Sequence, residues 1–161
     1  DISGLSNISV IGNYFLAACA ELETFEMSSF TSLKNVGDHF LSDCANARTI
    51  TLPDSLESAG DYFLNDCIKL EILHLDKMEN AKSFGSYFLN NCAGITDLYL
   101  PITTGDIPSL GKYEESEYAW GEYIAYYLDP DTKFIHCGEK LDEYLELDNR
   151  WSDKAAYMDG E

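Results

Sequence analysis

Apolar residues recur along the first two thirds of the chain in two alternating rhythms. One is a short alternation of the form L-x-x-L-x-L. It reads "LETFEM" from Leu22, "ARTITL" from Ala47, "LEILHL" from Leu70 and "ITDLYL" from Ile95, with Ala47 and Ile95 as small departures. Period two over four residues predicts a strand with one buried face. Phe25, Ile50, Leu73 and Leu98 then point inward, followed two residues on by Met27, Leu52, Leu75 and Leu100. Pro or polar residues end each strand, as at Pro53 and Pro101. The other rhythm is an eight-residue word, "GNYFLAAC" from Gly12, "GDHFLSDC" from Gly37, "GDYFLNDC" from Gly60 and "GSYFLNNC" from Gly85. Its adjacent apolar pair, Phe15 and Leu16 in the first copy, is too short a run for a long helix and predicts a single helical or 3-10 turn.

Word and strand keep step. The four glycines are separated by 25, 23 and 25 residues, and Cys19, Cys44, Cys67 and Cys92 keep the same intervals. Periods of roughly 20–29 residues belong to leucine-rich repeats, whereas paired-helix repeats need about 33 or more. One coil cannot bury its own apolar face, so the coils stack and share a core, each word packing on its copy. The expected fold is an α/β repeat solenoid. Segments 22–27, 47–52, 70–75 and 95–100 form a parallel β-sheet on the concave face, with short helical or 3-10 turns on the convex face and a C-terminal cap.

"IGNYFLAACAELETFEM" and "AGDYFLNDCIKLEILHL" resemble the BspA-like leucine-rich repeats of bacterial and some protozoan surface proteins, whose pattern is I-G-x-x-A-F-x-x-C followed by x-x-L-x-x-I-x-L-P. Glycine, cysteine, strand and spacing match over about residues 1–101. The family's Ala-Phe pair is Phe-Leu in all four copies here, which implies a repacked convex layer on the same fold. "TKFIHCGEKLDEYLELDNRWSDKAAYMDGE" is similar to the family's closing segment, with Phe134 and Ile135 in a last strand and Leu141, Tyr144, Leu145 and Trp151 on the apolar side of a cap. His136 and Cys137 stand where the family has Val-Pro.

Two regions of one domain follow. Residues 1–101 hold about four repeat units, the first truncated, and residues 102–161 hold an irregular aromatic-rich segment, the last strand and the cap. "ISGLSNISVIG" aligns with "SSFTSLKNVG", so the chain is expected to open just after a missing strand, as a C-terminal part of a longer repeat protein.

Charge narrows the partners. The chain has 161 residues, 29 acids against 10 Lys and Arg, and a formal charge of −19, with an acid excess in both residues 1–101 and residues 102–161. A field of that sign repels phosphate backbones and anionic lipid, so no nucleic acid partner is expected. No stretch approaches the roughly 18–20 apolar residues of a membrane span, so no direct membrane insertion is expected either.

Catalytic chemistry finds little support. The four repeated cysteines predict a column of buried, reduced thiols, and no paired spacing converges on zinc. Cys137 is expected as a half-buried strand residue. His39, His74 and His136 fall in three different repeat positions, with nothing to bring them together, and His39 takes the slot that Tyr14, Tyr62 and Tyr87 hold elsewhere. There is no G-x-S-x-G elbow and no phosphate loop. "DPDT" from Asp129 lacks the glycine and distal Glu of a calcium loop and reads as a turn. Carboxylate pairs such as Glu114 and Glu115 are a consequence of abundance. The chain is therefore expected not to be an enzyme and to need no metal or cofactor.

Two surfaces remain. On the outward side of the strands, Glu26, Thr51, His74 and Tyr99 are expected to form one column, flanked by Thr24, Thr49, Ile72 and Asp97. The segment 102–131 lacks the word and concentrates aromatics, among them Tyr118, Trp120 and Tyr123, as a secondary binding surface or the closure of the core. The leading expectation is a non-enzymatic protein-binding, adhesion module whose partner sits on a host or neighbouring cell. Extracellular or cell-surface display is implied by the resemblance alone. The alternatives are a carbohydrate-binding module using exposed Tyr and Trp and, in another class, a glycoside hydrolase using paired carboxylates.

Overall fold

The computed structural model describes residues 3–110, 134–146 and 158–159. Strands in this region come in pairs, one before each word and one after it. The later members are β2 (Thr24–Glu26), β4 (Thr49–Thr51), β6 (Ile72–His74), β8 (Asp97–Tyr99), β10 (Phe134–His136) and β11 (Met158–Asp159). They form one parallel sheet in the order β11-β10-β8-β6-β4-β2, so each coil adds a strand beside the previous one. This main sheet contains all four expected strands, each trimmed to its central three residues.

A second parallel sheet was not expected from the sequence. Its two-residue strands β1 (Val10–Ile11), β3 (Asn35–Val36), β5 (Ser58–Ala59), β7 (Ser83–Phe84) and β9 (Ser109–Leu110) pair in chain order, and the first four each run into a word. Two residues are too few to show an alternation, but Ile11, Val36, Ala59 and Phe84 are all buried. The stack is thus a β-solenoid, and helices are few and short. Among the described residues they are 3-10 turns at Ser3–Leu5 and Gly138–Lys140 and one α-helix, α1 (Leu141–Glu146).

The words form the expected turns, but their backbone is not a 3-10 helix. Every second residue is left-handed: Tyr14, Leu16 and Ala18, then His39, Leu41 and Asp43, with the same three places in the next two copies, all at φ between 53° and 59°. Such a conformation costs a non-glycine residue about 1–2 kcal/mol. Hydrogen bonds between coils oppose that cost. Tyr14 N–H donates to Asp38 O and Ala18 N–H to Ser42 O, while Leu41 N–H donates backward to Phe15 O. The next copies repeat this: His39 N–H to Asp61 O, Asp43 N–H to Asn65 O, Leu64 N–H back to Phe40 O. Alternating handedness lets one short turn satisfy both neighbours.

Each word residue then meets its own copy. Phe15, Phe40, Phe63 and Phe88 stack at 5.7, 5.7 and 5.4 Å. The thiols of Cys44, Cys67 and Cys92 donate to the carbonyls of Leu16, Leu41 and Leu64 at 3.2, 3.2 and 3.0 Å. A small apolar residue with a weak donor fits that place better than alanine or serine would. All five cysteines are free thiols, and Cys44, Cys67 and Cys92 are buried as expected. Cys19 departs from the expectation and is only half-buried, since no earlier word among the described residues lies against it. Cys137, expected half-buried, is fully buried one residue past β10.

The word's glycine is explained by space. Asn13 Oδ1 accepts from Asp38 N–H at 3.0 Å, Asp38 Oδ1 from Asp61 N–H at 3.0 Å, and Asp61 Oδ1 from Ser86 N–H at 2.8 Å. A Cβ on Gly60 would lie 2.3 Å from Asp38 Oδ1 and 2.7 Å from the Asp38 backbone nitrogen. At the cap, Tyr144 on α1 is buried and its hydroxyl donates to Pro101 O at 2.9 Å, with Leu141 and Leu145 packed against the core. Trp151 lies outside the described residues.

Candidate functional site

In the main sheet Ile50, Leu73, Leu98 and Ile135 are buried, so pleating sends their neighbours to the opposite face. Register aligns those neighbours across coils. Glu26 pairs with Thr51, His74 with Tyr99 and Tyr99 with His136, while Thr24 pairs with Thr49, Thr49 with Ile72 and Ile72 with Asp97. The structure therefore brings together all eight residues of the two expected columns.

It also corrects the reading of the histidines. His74 and His136 occupy equivalent places and sandwich Tyr99, with ring centroids 4.2 Å apart on each side and planes within 17° and 15°. His136 escaped the sequence reading because its strand lies off the period, beyond the aromatic segment. Each imidazole also meets a carboxylate: His74 Nδ1 lies 3.0 Å from Asp76 Oδ1 and His136 Nε2 3.1 Å from Asp97 Oδ1. His39 is elsewhere, stacked between Tyr14 and Tyr62 at 4.6 and 4.5 Å in an aromatic ladder along the words.

Electrostatics divide the column. Glu26 is held below the usual carboxylate range by hydrogen bonds from Ser28, whose N–H lies 2.7 Å from Oε1, and from Thr51. Its carboxylate is turned back on its own strand end. At the centre, a groove of about 540 Å³ opens over Thr49, Thr51 and Ile72, bordered by Arg48, His74 and Lys77. Ile72 is 47% exposed, a large apolar side chain at the middle of a polar face. Among the described residues no three His, Cys, Asp or Glu side chains come together as metal ligands do. None of those residues lies in a helix long and apolar enough to cross a membrane. Tyr118, Trp120 and Tyr123 lie outside the described residues.

Comparison with known proteins agrees with this geometry. The family described as BspA type leucine rich repeat region matches residues 1–112. No curated protein matches the chain. Among solved structures, a leucine-rich repeat protein of T. pallidum, TpLRR, superposes with a TM-score of 0.60 at 15% identity, over 81% of this chain and 52% of that one. The chain spans about half the length of that protein, and the likeness is one of fold. The repeat word, the parallel solenoid and the match over residues 1–112 lead to one assignment: the chain belongs to the BspA-type leucine-rich repeat family.

Proposed function

We propose that this chain is a non-enzymatic protein-binding module of an adhesive, surface-displayed or secreted protein, and that it binds through the outer face of the main sheet. Leucine-rich repeat proteins commonly bind partners and are typically not enzymes, and the BspA-type family is generally surface-associated. The observation that carries the reading is the aligned outer face. A continuous column of carboxylate, hydroxyl, imidazole and phenol groups runs beside an exposed Ile72 and a groove, on strands whose inner face is fixed by the core. A rigid backbone holding varied side chains in register is what protein recognition requires.

The test is attachment of the fluorescently labelled chain to intact host epithelial cells and neighbouring bacterial cells. Thr51→Ala, His74→Ala and Tyr99→Ala combined should reduce attachment about tenfold or more, the loss of roughly one interface hot spot, with a cooperative melt retained. Protease treatment of the target cells should abolish attachment. If periodate abolishes it and protease does not, the partner is a glycan and the carbohydrate-binding reading replaces this one.

A further inference from the structure

One end of the stack is open. Phe40, Leu41, Cys44, Ala47 and Ile50 of the second coil are buried, whereas their counterparts Phe15, Leu16, Cys19, Leu22 and Phe25 in the first are only half-buried. The backbone is open along the same line. Gly37 N–H donates to Ile11 O, Leu41 N–H to Phe15 O and Thr49 N–H to Glu23 O, each one coil back. The matching N–H groups of Gly12, Leu16 and Thr24 have no backbone acceptor among the described residues. Asp38 O, Ser42 O and Thr51 O accept from Tyr14, Ala18 and Met27 of the coil before, and the matching carbonyls of Asn13, Ala17 and Glu26 have no such donor among the described residues. Donors and acceptors thus stand free along β2 and through the first word, in the register that joins the later coils.

Gly12 shows what fits there. A Cβ on Gly37, Gly60 or Gly85 would lie 2.2, 2.3 or 2.4 Å from an atom of the preceding coil: Asn13 Oδ1, Asp38 Oδ1 or the Asp61 backbone nitrogen. At Gly12 the same Cβ meets nothing within 4 Å. The glycine that a neighbour requires in the later coils is present in the first with its cradle empty. Beside it, Asn13 N–H lacks the side-chain oxygen that receives Asp38, Asp61 and Ser86 N–H. Both places are filled by one thing, an Asn or Asp that follows the glycine of another word in register. A lone extended strand pairs with β2 but reaches neither the word nor this cradle. Two copies related by a two-fold axis would set β2 against β2 antiparallel, out of that register.

The path into the first coil shows how its neighbour is delivered. After the 3-10 turn at Ser3–Leu5, Ile8 N–H donates to Leu5 O at 3.1 Å, as Leu33 N–H donates to Phe30 O at 3.0 Å on the way from β2 to β3. The chain therefore enters β1 by the route along which a main-sheet strand hands on to the next coil. We infer that this end is an acceptor face for one further coil of the same repeat, carried ahead of Ser3 on the same polypeptide, with its strand parallel to β2 and an Asn or Asp at Gly12. The interface it makes continues the one that already joins the coils. The inference stands apart from the protein-binding reading but enlarges its surface, because such a coil carries both outer columns one residue past Thr24 and Glu26.

The test joins a copy of residues 28–52 to Ser3 of the otherwise full chain, in place of Asp1 and Ile2, so that the repeat stays in step. In the extended chain Cys19 should react with iodoacetamide about tenfold more slowly than in the parent, and the amides of Asn13, Leu16 and Thr24 should exchange about tenfold more slowly. Gly12→Ala supplies a readout that a general gain in stability would not move. It should be close to neutral in the parent, yet in the extended chain it should lower the melting midpoint as far as Gly60→Ala does. A scrambled copy of the same composition should reproduce none of this. The inference is overturned if Cys19 stays reactive and Gly12→Ala stays neutral in the extended chain, or if the scrambled copy protects Cys19 equally well. It is also overturned if the parent sediments as a dimer with Cys19 already protected, because a second copy then covers the face.

Discussion

On the word side of the coils the same residue returns at the same place. Phe15, Phe40, Phe63 and Phe88 stack on one another, and Cys44, Cys67 and Cys92 each donate one coil back. Across the outer face of the main sheet the residues change at every step, through Glu26, Thr51, His74, Tyr99 and His136. The backbone repeats equally well in both regions, so the difference lies in what each side chain touches. A phenylalanine that packs between two copies of itself cannot change without disturbing two neighbours. An outward residue in the sheet also touches its neighbours, as Tyr99 touches His74 and His136, but it faces outward from the core and its identity is open to a partner. Repetition within this chain therefore marks structure, and variation along a registered column marks a surface.

The comparison predicts its own largest effect. Phe63 is fully buried between Phe40 and Phe88, so Phe63→Ala should lower stability by about 3–5 kcal/mol in a urea melt. A cost no greater than that of Tyr99→Ala would break the distinction. Next comes the glycine pair. Gly60→Ala must displace the backbone of the preceding coil and should cost about 1–3 kcal/mol, whereas Gly12→Ala meets nothing within 4 Å and should be close to neutral.

Those glycines also show what was legible in the sequence. The 25-23-25 spacing gave the coil, and period two gave the main strands and their inward faces, because both depend only on which residues are apolar. The second sheet was hidden because its strands are two residues long and its buried position holds Ile11, Val36, Ala59 and Phe84, which share no size. The alternating left-handed turn was hidden because Tyr, Leu and Ala give no sign of positive φ. Only His39, Asp43, Asp66 and Asn91, of types that tolerate it, point that way. At the site, the two columns followed from alternation, but Arg48 and Lys77 lie just outside the alternating residues and were passed over.

Thiol behaviour should be smaller in energy and just as diagnostic. Cys67→Ala removes a buried sulfur and the donor to Leu41 O, and should cost about 1–2 kcal/mol. Burial pushes the Cys44 thiol up to about 11, and the adjacent Cys92 thiol together with burial pushes Cys67 higher still. Iodoacetamide at mildly alkaline pH should therefore modify Cys19 first and leave Cys44, Cys67 and Cys92 until the chain unfolds, as intact-mass spectra would show.

The ion pairs on the coil flank should contribute less. Hydrogen bonds from Lys34 and then Lys82 hold Glu57 at about 2, against an ordinary value of 4.5. A carboxylate with a depressed folded pKa stabilises fully above its unfolded value and loses that contribution as pH falls through the folded one. Stability curves of the parent chain and of Glu57→Gln should thus differ most above about 4.5 and converge as pH approaches about 2. A constant difference across that window would mean that Glu57 acts through packing.

The smallest effect is expected at Glu26, and it sharpens the comparison most. Glu26 belongs to the varied column, yet its carboxylate is turned back to Ser28 and takes a further hydrogen bond from Thr51. It is exposed on the flank of the sheet, so Glu26→Ala should change stability by no more than about 0.5 kcal/mol. Its effect on cell attachment should also be slight, because the groove and the stacked rings lie over Thr49 through Tyr99, towards the other end of the column. Measuring attachment for Glu26→Ala beside Thr51→Ala and His74→Ala separates two meanings of variation. If only the latter two matter, recognition sits over the groove and the stacked rings and not along the whole varied column. If Glu26→Ala alone abolishes attachment, binding sits at the β2 edge, and the groove is an ordinary solvated part of the sheet.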